Sequence, residues 1–400
     1  MNTTPTGERP QIGFFGCRNA GKSSLFNAVT AQQLAVVSDI QGTTTDPVIK
    51  NMELLPLGPV TFIDTPGFDD DSGTLGQERV KQAYRILRRC DLALLVCDAS
   101  RGMTGADKAF YERVQADGIA CIVVYNKSDL AAGLPSASGQ TGDASAAAVS
   151  ALHKDGIDTL KERIVQALHR RPPERPIAAD LVPRGASVVL VVPIDKAAPK
   201  GRLILPQQQT IRDLLDHGDT TVVVRDTELA ALLQRMTPDM VITDSQAFAA
   251  VAALVPQEIP LTSFSILLAR HKGVLDRLVA GARVLDTLRD GDRVLIAEGC
   301  THHRQCEDIG TVKLPAWIRR HSGAEPAFEF SSGTEFPKDI TLFRLIIHCG
   351  GCMLNAKEMQ YRERTAREAG VPMTNYGTAI AHMHGILERS LKPLRLTGAP

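Results

Sequence analysis

Residues Gly16-Cys17-Arg18-Asn19-Ala20-Gly21-Lys22-Ser23 follow the pattern G-x-x-x-x-G-K-S, and this pattern constrains the fold more than any other feature of the chain. It works only where a buried strand runs into a glycine-rich turn that opens a helix, because backbone N–H groups and a helix N-terminus must face phosphate. The flanking residues supply both parts, an apolar strand at 12–15 and a helix opening at 22–30. Two further segments complete the set. Asp64-Thr65-Pro66-Gly67 follows an apolar strand at 60–63, and Asn126-Lys127-Ser128-Asp129 follows another at 120–125.

These positions carry guanine-nucleotide chemistry. Lys22 meets the β- and γ-phosphates and Ser23 binds Mg²⁺, while Asn19, Ala20, Gly21 and Ser24 belong to the wall around the phosphates. Asp64 supports the Mg²⁺ through water, and the Gly67 N–H contacts the γ-phosphate. Asp129 selects GTP over ATP, since one carboxylate accepts from both the ring N–H and the exocyclic amine of guanine, a donor pair that adenine lacks. Asn126 and Lys127 are counted with the base contacts, and Ser150-Ala151 lies at a suitable distance to form the last base-contacting loop. Phe68 follows Gly67, so no glutamine stands there to orient a water, and hydrolysis is expected to be slow.

At 400 residues the chain has room for two or three domains. The expected architecture is α/β throughout, with boundaries at 8–171, 184–257 and 258–400. Alternating apolar strands and amphipathic helices over the first segment imply a mostly parallel, helix-covered sheet. Pro172, Pro173, Pro176 and Pro183 mark the linker that follows. The second segment reads as strands at 188–192 and 202–205, a short helix at 211–216, and two strand–helix repeats at 220–236 and 240–254. The apolar strand pattern near 188–205 carries few charges and makes a poor solitary edge, which predicts a homodimer. The third segment reads as a helical stretch at 264–288, strands at 293–297 and 341–347, and a helix at 355–369 with Asn355 as its N-cap.

Eight cysteines fall into two groups. Cys17, Cys90, Cys97 and Cys121 lie in or beside the nucleotide-binding pattern and read mainly as small buried apolar residues. Cys300, Cys306, Cys349 and Cys352 crowd into two short segments, each just beyond a strand. Cys349 and Cys352 stand at the C-x-x-C spacing that lets two thiolates reach one metal or cluster, and Cys300 and His302 alternate on an extended segment. If the two strands are parallel neighbours, both loops converge at the carboxyl edge of one sheet. A four-iron cluster on Cys300, Cys349 and Cys352, completed by His302, His348, a carboxylate or an exchangeable ligand, competes with a Cys₃His zinc site and with a redox dithiol. Cys306, His303, His382 and His384 are read as incidental.

Two resemblances follow from these motifs. Gly42-Thr43-Thr44-Thr45-Asp46 is similar to the first switch of translation-factor-like GTPases of the TrmE/Era type, which implies Thr44 as a Mg²⁺ ligand and groups it with Lys22, Asp64 and Gly67 in catalysis. In potassium-activated relatives the position of Asn19 helps hold K⁺ beside the phosphates. Over nearly its whole length the chain resembles the HydF family of [FeFe]-hydrogenase maturation GTPases, on the run from Val192 to Gln207, on Cys300-Thr301-His302-His303, and on the run from Ile347 to Asn355 that contains His348-Cys349-Gly350-Gly351-Cys352. That resemblance implies a GTPase domain, a dimerisation domain and an iron–sulfur domain in which the three cysteines hold a [4Fe–4S] cluster. It also implies a scaffold that receives a diiron precursor made with the radical-SAM maturases HydE and HydG and passes it to the hydrogenase HydA.

Charge weighs against the rival reading, an RNA-directed GTPase with a terminal zinc site. The chain has 45 basic and 45 acidic residues and 4% aromatics, without the basic footprint of a nucleic-acid binder. The opening residues lack a basic-then-apolar leader, and the longest apolar runs, 92–96 and 188–193, fall far short of the roughly 20 residues that span a bilayer. No membrane partner and a cytoplasmic location are therefore expected.

Overall fold

Six strands, all parallel but one, form the sheet that the phosphate loop requires. In the computed structural model, which describes residues 9–31, 47–68, 73–130, 146–169, 175–194, 203–299, 309–333, 336–337 and 339–395, the chain divides into two units, Met1–Pro173 and Glu174–Pro400. The first holds β1 (Gln11–Phe15), β2 (Val48–Leu54), β3 (Gly58–Asp64), β4 (Leu92–Asp98), β5 (Ala120–Asn126) and β6 (Ala146–Ala148), with helices α1 (Lys22–Thr30), α2 (Gly73–Leu87), α3 (Gly105–Ala116) and α4 (Ile157–His169). Their order is β2-β3-β1-β4-β5-β6, with β2 antiparallel to β3. Helices cover both faces, so β1 is buried at all five positions. Ile12 and Phe14 pack with Phe26 and Phe62 on one side, while Phe15 packs with Phe110 on the other. Cys90 and Cys97 are fully buried among apolar neighbours, as their pattern predicts, and burial pushes both thiols up.

The second unit contains β7 (Ser187–Val191), α5 (Leu205–His217), β8 (Thr220–Val224), α6 (Leu229–Leu233), β9 (Met240–Thr243), α7 (Phe248–Leu254), β10 (Leu261–Ser263), α8 (Phe264–His271), α9 (Leu275–Ala282), β11 (Arg293–Ala297), α10 (Leu314–Ser322), β12 (Ala327–Ser331), β13 (Leu345–His348), α11 (Ala356–Glu368), β14 (Met373–Asn375), α12 (Tyr376–Met383) and α13 (Leu387–Arg395). It has two parallel sheets, ordered β10-β9-β7-β8 and β12-β11-β13-β14.

Several expectations change here. The strand expected at 202–205 meets a helix instead: Leu205 begins α5, with Pro206 in its first turn and the Gln207 side chain accepting from the Ile204 N–H. The apolar run at 188–192 is an interior strand, flanked by β8 and β9, and is no exposed edge. β10 pairs with β9, so the first of these sheets takes in residues beyond the expected 257/258 boundary. The helical stretch 264–288 breaks at Gly273, whose φ of 73° ends α8 in the left-handed region. Asn355 does cap α11, accepting from the Glu358 N–H at 3.0 Å.

α9 lies against β14 so closely that a Cβ on Gly281 would sit 2.0 Å from the Met373 carbonyl oxygen. Gly281→Ala should therefore cost about 1–3 kcal/mol through overpacking, read as a lower denaturation midpoint of the second unit with an unchanged slope.

Candidate functional site

Each unit carries one of the two sites read from the sequence. In the first, the phosphate loop leaves β1 at Gly16, where a Cβ would lie 2.2 Å from the Val96 carbonyl oxygen, and turns into α1 at Gly21, whose φ is 84°. Only glycine fits either position. Asn19 takes the left-handed conformation between them, with φ 61°. Lys22 is buried and donates to the Cys17 carbonyl at 2.8 Å, closing the loop on itself.

Ser23 and Asp64 are brought together as Mg²⁺ chemistry requires, the Ser23 hydroxyl donating to Asp64 Oδ2 at 2.6 Å. Asp64 Oδ1 is buried and accepts no hydrogen bond among the described residues. Burial pushes this carboxyl up, against the opposing effects of Ser23 and Lys22. A divalent cation would supply the missing partner, so the residues fit Mg²⁺. Gly67 is half-buried beside them, and Phe68 stacks on Phe110 with ring centroids 4.5 Å apart. Phe68 is thus a core residue that positions no water. Thr44 lies outside the described residues.

Asn126 ties the base-binding segments to the loop. Its amide donates to the Ala20 and Gly21 carbonyls at 3.0 and 3.3 Å and accepts from the Ala151 N–H at 3.0 Å. Ser150 donates to Asp129 Oδ1 at 2.6 Å, and this bond holds the Asp129 carboxyl below the usual range, ready to accept from guanine. Lys127, with φ 62°, pairs with Asp98 at 2.6 Å. Sequence reading missed this pair and also missed Cys17, whose thiol donates to Asp107 at 3.3 Å beside the N-cap Thr104. No sequence motif joins Cys17 to α3. Cys17, Asp98, Thr104 and Asp107, with Arg18, Asn19 and Ala20, line a cavity of about 250 Å³.

The second site sits where β11 and β13 run side by side, Ala297 opposite His348. Beyond Ala297 the Gly299 N–H donates to Cys349 Sγ at 3.1 Å, and the Gly351 N–H donates to the same sulfur at 3.4 Å. Gly351 is left-handed, with φ 61°, and a Cβ there would strike Met359 Sδ at 2.6 Å. Buried Lys272 holds the loop from below by donating to the carbonyls of Gly351 and Leu354 at 2.5 and 2.9 Å. Cys349 and Cys352 are half-buried, and neither forms a disulfide among the described residues. Amides aimed at sulfur and a tightly wrapped C-x-x-C turn suit a thiolate-bound metal centre. Cys300, His302, His303 and Cys306 lie outside the described residues.

His348, one of the candidates for the fourth ligand, finds its partners within the protein. Arg362 Nη1 donates to its Nε2 at 2.9 Å, so the ring proton is on Nδ1, which donates to the Cys349 carbonyl at 2.8 Å. Both ring nitrogens are engaged, and burial, reinforced by the Arg362 charge, holds the imidazole neutral with its pKa down to about 3. His348 is a brace for Cys349. Arg362 is itself buried, pairs with Glu358 at 2.8 Å and lies 5.3 Å over the Phe336 ring.

Comparison with known proteins agrees with this division. Residues 177–273 match the hydrogen maturase F dimerization domain, residues 277–393 match the hydrogen maturase F tetramerization domain, and residues 11–127 match the 50S ribosome-binding GTPase model. The tRNA modification GTPase MnmE of Chromobacterium violaceum is 34% identical over 164 residues, covering 40% of this chain and 35% of that protein. GTPase Der of Nitratiruptor sp. is 38% identical over 122 residues, 30% of this chain and 26% of that protein. The chain thus spans about a third or less of these relatives. Among solved structures, Aquifex aeolicus Era bound to GDP and aluminium fluoride is 19% identical, covering 54% of this chain and 94% of that one at a TM-score of 0.35. No described helix is long and apolar enough to cross a membrane.

Asp64→Asn should abolish Mg²⁺-dependent nucleotide turnover while leaving the nucleotide-free unit at least as stable as wild type, because it removes a buried charge whose Oδ1 has no partner among the described residues; paired kinetic and thermal-melt measurements check both halves. Arg362→Ala leaves Glu358 buried and unpaired and should cost about 3–5 kcal/mol in the second unit, with the Cys349–Cys352 loop losing amide-exchange protection first.

Proposed function

Since the chain belongs to the hydrogen maturase F family, we propose that it is a GTP-binding and GTP-hydrolysing maturation factor for [FeFe]-hydrogenase that holds a [4Fe–4S] cluster on Cys300, Cys349 and Cys352. The observation that carries this reading is the Gly299 amide on Cys349 Sγ at 3.1 Å, which joins the segment leading to Cys300 to the C-x-x-C loop. With His348 engaged by Arg362, the cluster has three protein thiolates, and its fourth iron takes His302, a carboxylate or an exchangeable group. When bound, the cluster supplies an iron through which a diiron precursor can be bridged. The protein's own part is to orient sulfur: Gly299 and Gly351 donate to Cys349, Lys272 fixes the loop, and the positive end of α11 favours thiolate over thiol. The precursor comes from HydE and HydG and is delivered to HydA.

GTP turnover is slow and acts as a switch. Lys22 and the loop amides bind the phosphates, Ser23, Asp64 and Thr44 hold Mg²⁺, Gly67 contacts the γ-phosphate, and Asp129 reads the base. Asn19 helps hold a K⁺ beside the phosphates.

Assembly follows the descriptions of the two matched domain models: dimerisation through residues 177–273 and further pairing through 277–393. In the first of these sheets α13 packs beside β10, so β8 is the edge left for a second copy, and it exposes Val223. The exposed edge thus supports a homo-oligomer, for which we infer a cytoplasmic location.

Anaerobic reconstitution followed by iron analysis and EPR tests the cluster. A reduced [4Fe–4S] signal should appear in the wild type and vanish in Cys349→Ser and Cys352→Ser; stoichiometric zinc without iron would sink the reading. GTP turnover should be faster in K⁺ than in Na⁺ at equal ionic strength and lose that difference in Asn19→Ala. Val223→Lys should lower the assembly state seen by light scattering.

A further inference from the structure

Away from both sites, three side chains from three elements bring their polar tips together. Asp286 lies in the 3-10 turn Arg283–Thr287, His321 in the last turn of α10 and His382 near the end of α12, and their ligand atoms are all within 4.8 Å of one another. His321 Nε2 is 2.8 Å from Asp286 Oδ1, while His382 Nε2 is 2.9 Å from that oxygen and 3.0 Å from Oδ2. The two imidazoles meet edge to face with centroids 5.6 Å apart.

The backbone beneath them is held by a core. Leu285 precedes Asp286, and Ile318 and Ala379 lie one helical turn before His321 and His382; all three are fully buried in one cluster with Ile296 of β11 and Ile347 of β13. The tips reach water, with side-chain exposures of 50% for Asp286, 24% for His321 and 18% for His382. A rigid apolar floor under an open polar rim gives an ion both a fixed donor set and a way in.

Hydrogen bonding alone is a poor reason for this arrangement, since a half-exposed carboxylate gains little from two histidines that water would not supply. As metal ligands the same atoms make sense. For bonds of about 2.1 Å, neighbouring ligands sit about 3.0 Å apart on an octahedral ion and about 3.4 Å on a tetrahedral one. The two oxygen–nitrogen separations of 2.8 and 2.9 Å fall beside that octahedral edge. Two imidazoles and one carboxylate suit zinc, ferrous iron and their neighbours, and they leave positions for water.

We propose that Asp286, His321 and His382 form a second metal site, taking one divalent first-row transition ion. It is separate from the cysteine centre. Tyr376 at the start of α12 reaches Glu298 beside the cysteine segment at 3.3 Å, and His382 lies six residues further on, about 9 Å along the helix axis. Burial raises the Asp286 carboxyl, but hydrogen bonds from His321 and His382 outweigh it and hold the group below its ordinary range, so it is anionic at neutral pH.

Zinc titration calorimetry tests the site in the untagged full chain carrying Cys300→Ser, Cys306→Ser, Cys349→Ser and Cys352→Ser, which removes the thiolates of both cysteine segments. One zinc per chain is expected, with affinity falling roughly tenfold or more in Asp286→Asn and in His382→Ala, and with GTP turnover unchanged. His321→Asn keeps a side-chain donor near Asp286 while removing the imidazole, so the fold survives and zinc binding must still weaken. Co²⁺ added to the wild-type apoprotein provides a readout free of the serine background: a class of ion with d–d bands but no thiolate charge-transfer band, lost in the same variants. Absence of a stoichiometric ion, or binding that survives loss of either histidine, overturns the proposal.

Discussion

The parallel register of β11 against β13 governs the second unit. Both strands have buried apolar interiors, Val294–Ala297 and Leu345–Ile347, and pairing Ala297 with His348 brings the two chain segments that carry the cysteines to one sheet edge. A shift of one residue would turn the alternating side chains to the wrong face. His348 closes the strand as its one polar residue, and its position is fixed by a chain of partners rather than by packing alone. Glu358 holds Arg362, Arg362 donates to His348, and His348 donates to the Cys349 carbonyl. A buried guanidinium is costly to desolvate and is tolerated only with such partners. In return the sulfur-bearing loop inherits the rigidity of α11.

The two sites use buried charge in opposite ways. Around Cys349 the buried cations Lys272 and Arg362 have their partners within the protein, and they fix a loop. At Asp64 one oxygen has no partner among the described residues, and a bound cation would compensate it. The first arrangement stands without a ligand, while the second is completed by one. This difference matches the chemistry assigned to each, a rigid sulfur cradle and a switch that responds to nucleotide and Mg²⁺.

The parts legible in the sequence were those where restrictive chemistry borders an apolar strand. α1, β9 and β11 fall on the expected residues, and Asn355 caps α11, because each combines a local signal with a buried run. β2 and β12 were missed because as edge strands they alternate with exposed or charged residues, and β14 because three residues carry too little pattern. α5 was misread because leucine and isoleucine before Pro206 look like a strand until the proline opens a helix. His348 is a different case: proximity to Cys349 is visible in sequence, but its contact with Arg362, fourteen residues on, is not. Asp286 is 35 residues from His321 and 96 from His382, so no spacing rule could gather them.

α12 links what the sequence leaves apart. Asn375 caps it by accepting from the Thr378 N–H at 2.8 Å, and Gly377 lies so close to Ser265 that a Cβ would come within 2.3 Å of it. The helix therefore has little room to slide at its start. Eight residues make about two turns, too short to bend appreciably, so a restraint on its last turn at His382 is also a restraint on Tyr376 beside Glu298. Glu298 stands two residues before Cys300 in the chain. Stiffness in this corner of the unit thus rests on one short helix held at both ends, by the Asn375 cap and the packing of Ser265 at its start and by Asp286 at its end.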